Sequence, residues 1–117
     1  ANEHKKKFQI LARTDSLTKI YNCYGFDEFA EKMIQKNPNA HFVAALLDID
    51  NFKFINDIYG HSYGDRALKN LADSMKAFFP SDALLRRNGG DEFCILLPNC
   101  TFAEADVPLQ QLPDERD

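Results

Sequence analysis

Apolar positions along this chain fall into blocks of different period, and the period predicts the element. Residues 41–49 are almost continuously apolar, the pattern of a strand covered on both faces. Within residues 26–36, Phe26, Phe29, Ala30, Met33 and Ile34 recur at helical spacing, and Asn37-Pro38-Asn39 stops the run. Residues 62–79 predict the longest helix, with Leu68, Leu71, Ala72, Met75 and Phe79 on one stripe and Pro80 behind it. Residues 83–87 and 93–97 read as hairpin arms around Asn88-Gly89-Gly90-Asp91-Glu92. Adjacent glycines suit a two-residue turn there, because both central residues can take positive φ without a Cβ clash. Strand, helical segment, helix and hairpin in that order predict an α/β domain of about three strands with helices packed on them.

The two ends break this pattern. Residues 2–13 are charged, with Phe8, Ile10 and Leu11 as their few apolar positions. They read either as the end of a signalling linker helix or as a disordered leader. Residues 106–117 carry Pro108, Pro113 and mixed charge, which predicts an unstructured tail. The expected organisation is a linker at 1–13, a domain at 14–105 and a tail at 106–117.

Composition narrows the class. A chain of 117 residues, 44% apolar with ten Phe, is one folded domain. A net charge of −4 leaves no electrostatic footprint for nucleic acid or an anionic membrane. Cys23, Cys94 and Cys100 show no C-x-x-C spacing, so neither a disulfide framework nor a zinc site is indicated and reduced thiols are expected.

Two acidic clusters carry candidate chemistry. Asp48-Ile49-Asp50 ends the first strand, where alternate residues share a face. Asp91-Glu92 follows the glycines, so carboxylates sit beside backbone that a phosphate can approach. Each cluster alone is weak: Asp-x-Asp is often only surface, and a Gly-Gly turn often only reverses the chain. A calcium loop counted from Asp48 fails, since Phe52, Lys53 and Tyr59 stand where an oxygen ligand, Gly and Glu are needed. Between the clusters, Asn56 and Asp65 are able to meet the hydrogen-bonding edge of guanine, with helix capping as an equal alternative. Lys53 is able to neutralise phosphate, or is a solvated surface lysine. Gly60-His61-Ser62-Tyr63-Gly64 matches the G-x-S-x-G elbow, but no His follows Ser62, which removes a Ser-His-Asp hydrolase.

Taken together, three blocks resemble the GGDEF family, the diguanylate cyclase domain of bacterial signalling proteins. They are Asp15-Ser16-Leu17-Thr18-Lys19-Ile20-Tyr21-Asn22, the signature running from Asp48 through Phe52-Lys53, Asn56-Asp57, Gly60-His61 and Gly64-Asp65 to Leu68, and Gly89-Gly90-Asp91-Glu92-Phe93. The resemblance spans roughly residues 10–105. It implies a ferredoxin-like α/β fold, related to polymerase palm and nucleotide cyclase domains, with the hairpin carrying the motif. It implies condensation of two GTP into cyclic di-GMP and two pyrophosphates, with a catalytically silent GTP-binding or dimerisation module as the alternative.

Carried over by position, Asp48, Asp91 and Glu92 become catalytic carboxylates and metal ligands, with the Ile49 carbonyl as a backbone ligand. The cofactor implied is Mg²⁺ or Mn²⁺, two ions per GTP site. Gly89 and Gly90 admit the nucleotide, Asn56 and Asp65 read guanine, Lys53 contacts phosphate, and Phe52 borders the site as packing. The partners implied are GTP, a second copy of the domain needed for turnover and an upstream sensor domain, without nucleic acid or direct membrane contact. The expected location is cytoplasmic, with the parent chain open to membrane tethering.

Three departures stand out. The window where many members carry an R-x-x-D product-inhibition site reads Pro80-Ser81-Asp82-Ala83. Cys23-Tyr24 follows Asn22 where Arg is usual. Beyond Ala105 the likeness fades, where the family continues with a helix, further strands and a closing helix bearing Lys and Arg. An open sheet edge and compensating self-association are therefore expected.

Overall fold

The computed structural model describes residues 12–112. The elements follow in the order α1 (Cys23–Lys36), β1 (Phe42–Asp48), α2 (Phe52–Tyr59), α3 (His61–Phe78), β2 (Leu84–Gly89), β3 (Glu92–Pro98) and α4 (Phe102–Gln110). The expected linker helix lies outside the described residues except for 12–13, which are helical.

The three strands form an antiparallel sheet in the order β1-β3-β2. Every second residue of the central strand β3, namely Phe93, Ile95 and Leu97, is buried. Across the register these meet Leu47, Ala45 and Val43 of β1. Leu68, Ala72 and Met75 of α3 pack on this face, and Ala105 of α4 and Ile20 join the same core. Their spacing along α3 is the apolar stripe expected of a helix with one buried face. On the other side of the sheet, α1 lies against β2. There Arg86 pairs with Asp27 at 3.4 Å and stacks on the Phe26 ring.

Two expectations change. β1 is not covered on both faces: Val43 is buried, but Leu46 is 79% exposed and Ala44 is exposed. It is an edge strand in this sheet, so its apolar run is only half used. The opposite edge differs, because the Tyr21 backbone N–H donates to the Leu85 carbonyl and the Arg87 N–H donates to the Tyr21 carbonyl.

The unstructured tail expected from residue 106 is also overturned as far as the described residues reach, since α4 runs to Gln110. Thr101 caps it, its hydroxyl accepting from the Glu104 N–H while the Glu104 carboxylate accepts from the Thr101 N–H. This reciprocal pair satisfies two otherwise orphaned donors, and Leu109 and Leu112 hold the segment on the core. Pro108 falls near the C-terminal end, where its missing N–H removes only one helical bond.

Candidate functional site

Because β1 and β3 are antiparallel, the last residue of one meets the first of the other. Asp48 is the register partner of Glu92. Opposite residues of such a pair share a face with Cβ atoms about 5 Å apart. Two carboxylates therefore stand side by side at an open rim of the sheet. Asp91, half-buried, precedes Glu92 in the turn.

The turn is displaced by one residue from the expected one. A bulge follows Arg87, and Gly89 remains in β2, paired with Glu92. Gly90 and Asp91 form the two-residue loop. Gly89 has φ 103° and Gly90 φ 56°, left-handed values that a side chain adopts only at a cost. The expected sharing of one strand face by Asp48 and Asp50 is also corrected. β1 ends at Asp48 and Asp50 enters a turn, after which Asn51 takes φ 59° at the start of α2.

The buried side chain of Ile49 anchors the short link from this rim to α2. On α2, Asn56 faces Gly64 of α3. A Cβ at Gly64 would lie 1.8 Å from Asn56 Oδ1 and 3.3 Å from the Phe52 ring. Only glycine leaves room for the amide there. Asn56 Oδ1 is buried and accepts no hydrogen bond within the protein. Such an orphan costs about 1–3 kcal/mol. Neither Asn56 nor Asp65 caps a helix: the caps are Asn51 for α2 and Gly60 for α3. Asp65 and Lys53 are exposed, and Phe52 packs against the core.

The structure thus places the candidates in two groups, carboxylates at the rim and the amide at the α2–α3 contact, joined by residues 49–51. Among the described residues no three His, Cys, Asp or Glu side chains converge to hold a metal ion by themselves. A cleft of about 900 Å³ lined by Arg13, Tyr21, Phe29, Lys76, Phe79 and Leu84, among others, contains none of the candidate residues.

One residue was visible in the sequence only as local positive charge. Arg87 donates from Nε and Nη2 to the Gly90 carbonyl at 3.0 and 2.8 Å. Its Nη1 donates to both Asp15 carboxylate oxygens at 3.0 and 3.2 Å. Asp15 also accepts from the Thr18 N–H at 2.8 Å and hydroxyl at 2.7 Å. Burial alone would raise the Asp15 pKa, but the Thr18 and Arg87 donors outweigh it and hold the carboxyl below the usual range.

A three-stranded sheet with helices on its faces and an acidic hairpin tip defines a ferredoxin-like, nucleotide-cyclase-like domain. The chain belongs to the family described as diguanylate cyclase, GGDEF domain, which it matches over residues 12–112. It is 39% identical over 103 residues to the uncharacterized protein YhcK of Bacillus subtilis, covering 86% of this chain and 29% of that protein. It is 36% identical over 95 residues to the cyclic di-GMP phosphodiesterase PdeR of Escherichia coli, covering 81% and 14%. It is 38% identical over 102 residues to the probable diguanylate cyclase DgcE of Escherichia coli, covering 86% and 9%.

The crystal structure of the coiled coil and GGDEF domain of DgcB from Caulobacter crescentus, in complex with c-di-GMP, superposes with a TM-score of 0.87 at 27% identity. That superposition covers 94% of this chain and 59% of the other. The chain spans less than a third of the length of each of these curated relatives. Among the described residues no helix is long and apolar enough to cross a membrane.

Proposed function

We propose that this domain binds GTP at the hairpin rim and, as a pair of facing copies, condenses two GTP into cyclic di-GMP. The observation that carries this reading is the register of Asp48 with Glu92 directly beside Asp91 in a glycine turn. Hard carboxylate oxygens beside a glycine turn suit Mg²⁺ or Mn²⁺, ions that complete their shell with water and phosphate. Asp48, Asp91, Glu92 and the Ile49 carbonyl would hold them, two per GTP. Bound there, the cations supply charge neutralisation on the phosphates and acidify the attacking hydroxyl.

The chain's own groups do the rest. Gly89 and Gly90 offer bare backbone to the nucleotide, and Lys53 neutralises phosphate from the start of α2. The Asn56 side-chain amide and the Asp65 carboxylate are the groups that read the hydrogen-bonding edge of guanine. The 3′-oxygen of one GTP bonds to the α-phosphorus of the partner's GTP as the bond to the departing pyrophosphate breaks. Glu92 takes the hydroxyl proton in this scheme. Two such transfers close the ring, so an isolated copy is silent. Use of GTP fits a cytoplasmic domain that serves as the output of an upstream sensor.

The test is chromatography of nucleotides after incubation with GTP and Mg²⁺, beside an Asp91→Ala control. Cyclic di-GMP that disappears in the control supports the cyclase. No product, and no metal-dependent GTP binding, refutes it. A second reading, GTP binding that regulates a neighbouring domain without turnover, draws on the relative PdeR, named as a phosphodiesterase. Metal-dependent GTP binding without product would favour it.

A further inference from the structure

We infer that Arg87 is a positioning residue that makes the geometry of the Gly90–Asp91 peptide depend on the Asp15 turn. The inference rests on the reading of Asp91 as a metal ligand. Four hydrogen bonds define the arrangement. The guanidinium grips the Gly90 carbonyl with two N–H groups, at 3.0 and 2.8 Å. That carbonyl belongs to the peptide that leads into Asp91, so its direction fixes the plane from which the Asp91 side chain departs. Gly90, at φ 56°, lacks the side chain that would otherwise restrict this peptide. The remaining nitrogen, Nη1, donates to both oxygens of Asp15.

The Asp15 end is itself built into the fold. Its carboxylate takes the Thr18 N–H and hydroxyl. Its backbone N–H donates to the Ile20 carbonyl at 2.7 Å, and its carbonyl accepts from Lys19 at 2.9 Å. Thr18 is 4% exposed. Tyr21, which closes this turn against Thr14, is hydrogen-bonded on both sides to β2, one of those bonds using the Arg87 N–H. Arg87 therefore meets the Asp15 turn twice, by backbone and by side chain, and its guanidinium alone reaches on to the hairpin tip. The Arg87 and Asp15 side chains are only 14% and 16% exposed, so water competes poorly for the bonds between them, while the two bonds to the Gly90 carbonyl lie at the exposed tip. A displacement of residues 13–15 would be delivered to the turn that carries Asp91.

The geometry asks for the forked guanidinium, not merely for charge, since a lysine has no planar fork to share between a carbonyl and a carboxylate. Arg87→Lys and Asp15→Asn keep size and polarity nearly unchanged and are the variants of choice. Outer partners of metal ligands typically alter metal affinity or activity by about 10–100-fold. Both variants should raise the Mg²⁺ concentration for half-maximal turnover about tenfold and lower kcat, with the KM for GTP at saturating Mg²⁺ little changed. The double variant should be no worse than Arg87→Lys alone, because both act through one chain of contacts.

Amide hydrogen exchange across residues 88–92 needs neither GTP nor metal and should quicken in both variants while α3 keeps its protection. Unchanged exchange at 88–92 in both variants overturns the inference whether or not the domain turns over GTP. So does an unchanged Mg²⁺ requirement in an active enzyme. Quickened exchange in a protein that binds no GTP supports the coupling and refutes the functional reading alone.

Discussion

Asn56 and Gly64 form the most specific pair in the molecule, because each is explained only by the other. The Asn56 carbonyl oxygen is buried without a partner, and Gly64 is the residue that leaves it space. Asn56→Ala removes the orphan, so thermal melting of the ligand-free protein should show no loss of stability. GTP affinity, read by calorimetry, should fall about tenfold, the value of one hydrogen bond to a charged or well-oriented group. Gly64→Ala gains about 1 kcal/mol of helix propensity and meets the Asn56 side chain at overlap, which costs about 1–3 kcal/mol. The expected outcome is a modest net destabilisation together with weakened GTP binding.

Asp15 gives a pH signature at the same scale. Its folded-state pKa lies below its unfolded value of about 3.9. Its stabilisation is therefore fully present above that value and is lost as pH falls through the lower, folded one. The stability difference between wild type and Asp15→Asn, from urea unfolding, should be larger at about pH 6 than at about pH 3.

At the scale of elements, the hairpin and α4 show how local chemistry sets position. The β2–β3 tip is one residue away from the glycine pair because the bulge after Arg87 keeps Gly89 in the ladder. Asp91 is thereby carried into the loop and Glu92 into register with Asp48. α4 depends on its capping box more than on propensity, since Pro108 lies inside it and only Ala105 is fully buried. Thr101→Ala should cost about 1 kcal/mol, measured by chemical denaturation. Exchange protection should be lost chiefly in 102–110.

At the scale of the whole molecule, β1 is an edge strand of the sheet among the described residues. Its outer edge has no strand partner among the described residues, and Leu46 on its exposed face is 79% accessible. Free edges with apolar faces pair with other chains. Light scattering should therefore show concentration-dependent association, reduced by Leu46→Lys, a charge placed where no core contact is lost. Since turnover is proposed to need two copies with their rims facing, edge association and productive pairing are separable. Leu46→Lys should lower the first while the specific activity at fixed concentration holds or rises.

Elements with strong periodicity, and the residues that form the hairpin turn, were legible in the chain alone. The helix stripe from Leu68 to Met75, the hairpin arms and the Asp91-Glu92 pair are all local signals, and the structure keeps them. The Thr101-x-x-Glu104 capping box is equally local, although the prolines and mixed charge downstream of it predict a tail. What lay beyond the sequence was pairing. An apolar run such as 42–47 fits a central or an edge strand equally well, and only the neighbours of β1 decide which. The register that sets Asp48 against Glu92, the close approach that makes Gly64 necessary and the reach of Arg87 from Asp15 to Gly90 all join residues distant along the chain. No periodicity encodes such contacts. They exist only once the sheet has closed and the helices have packed upon it.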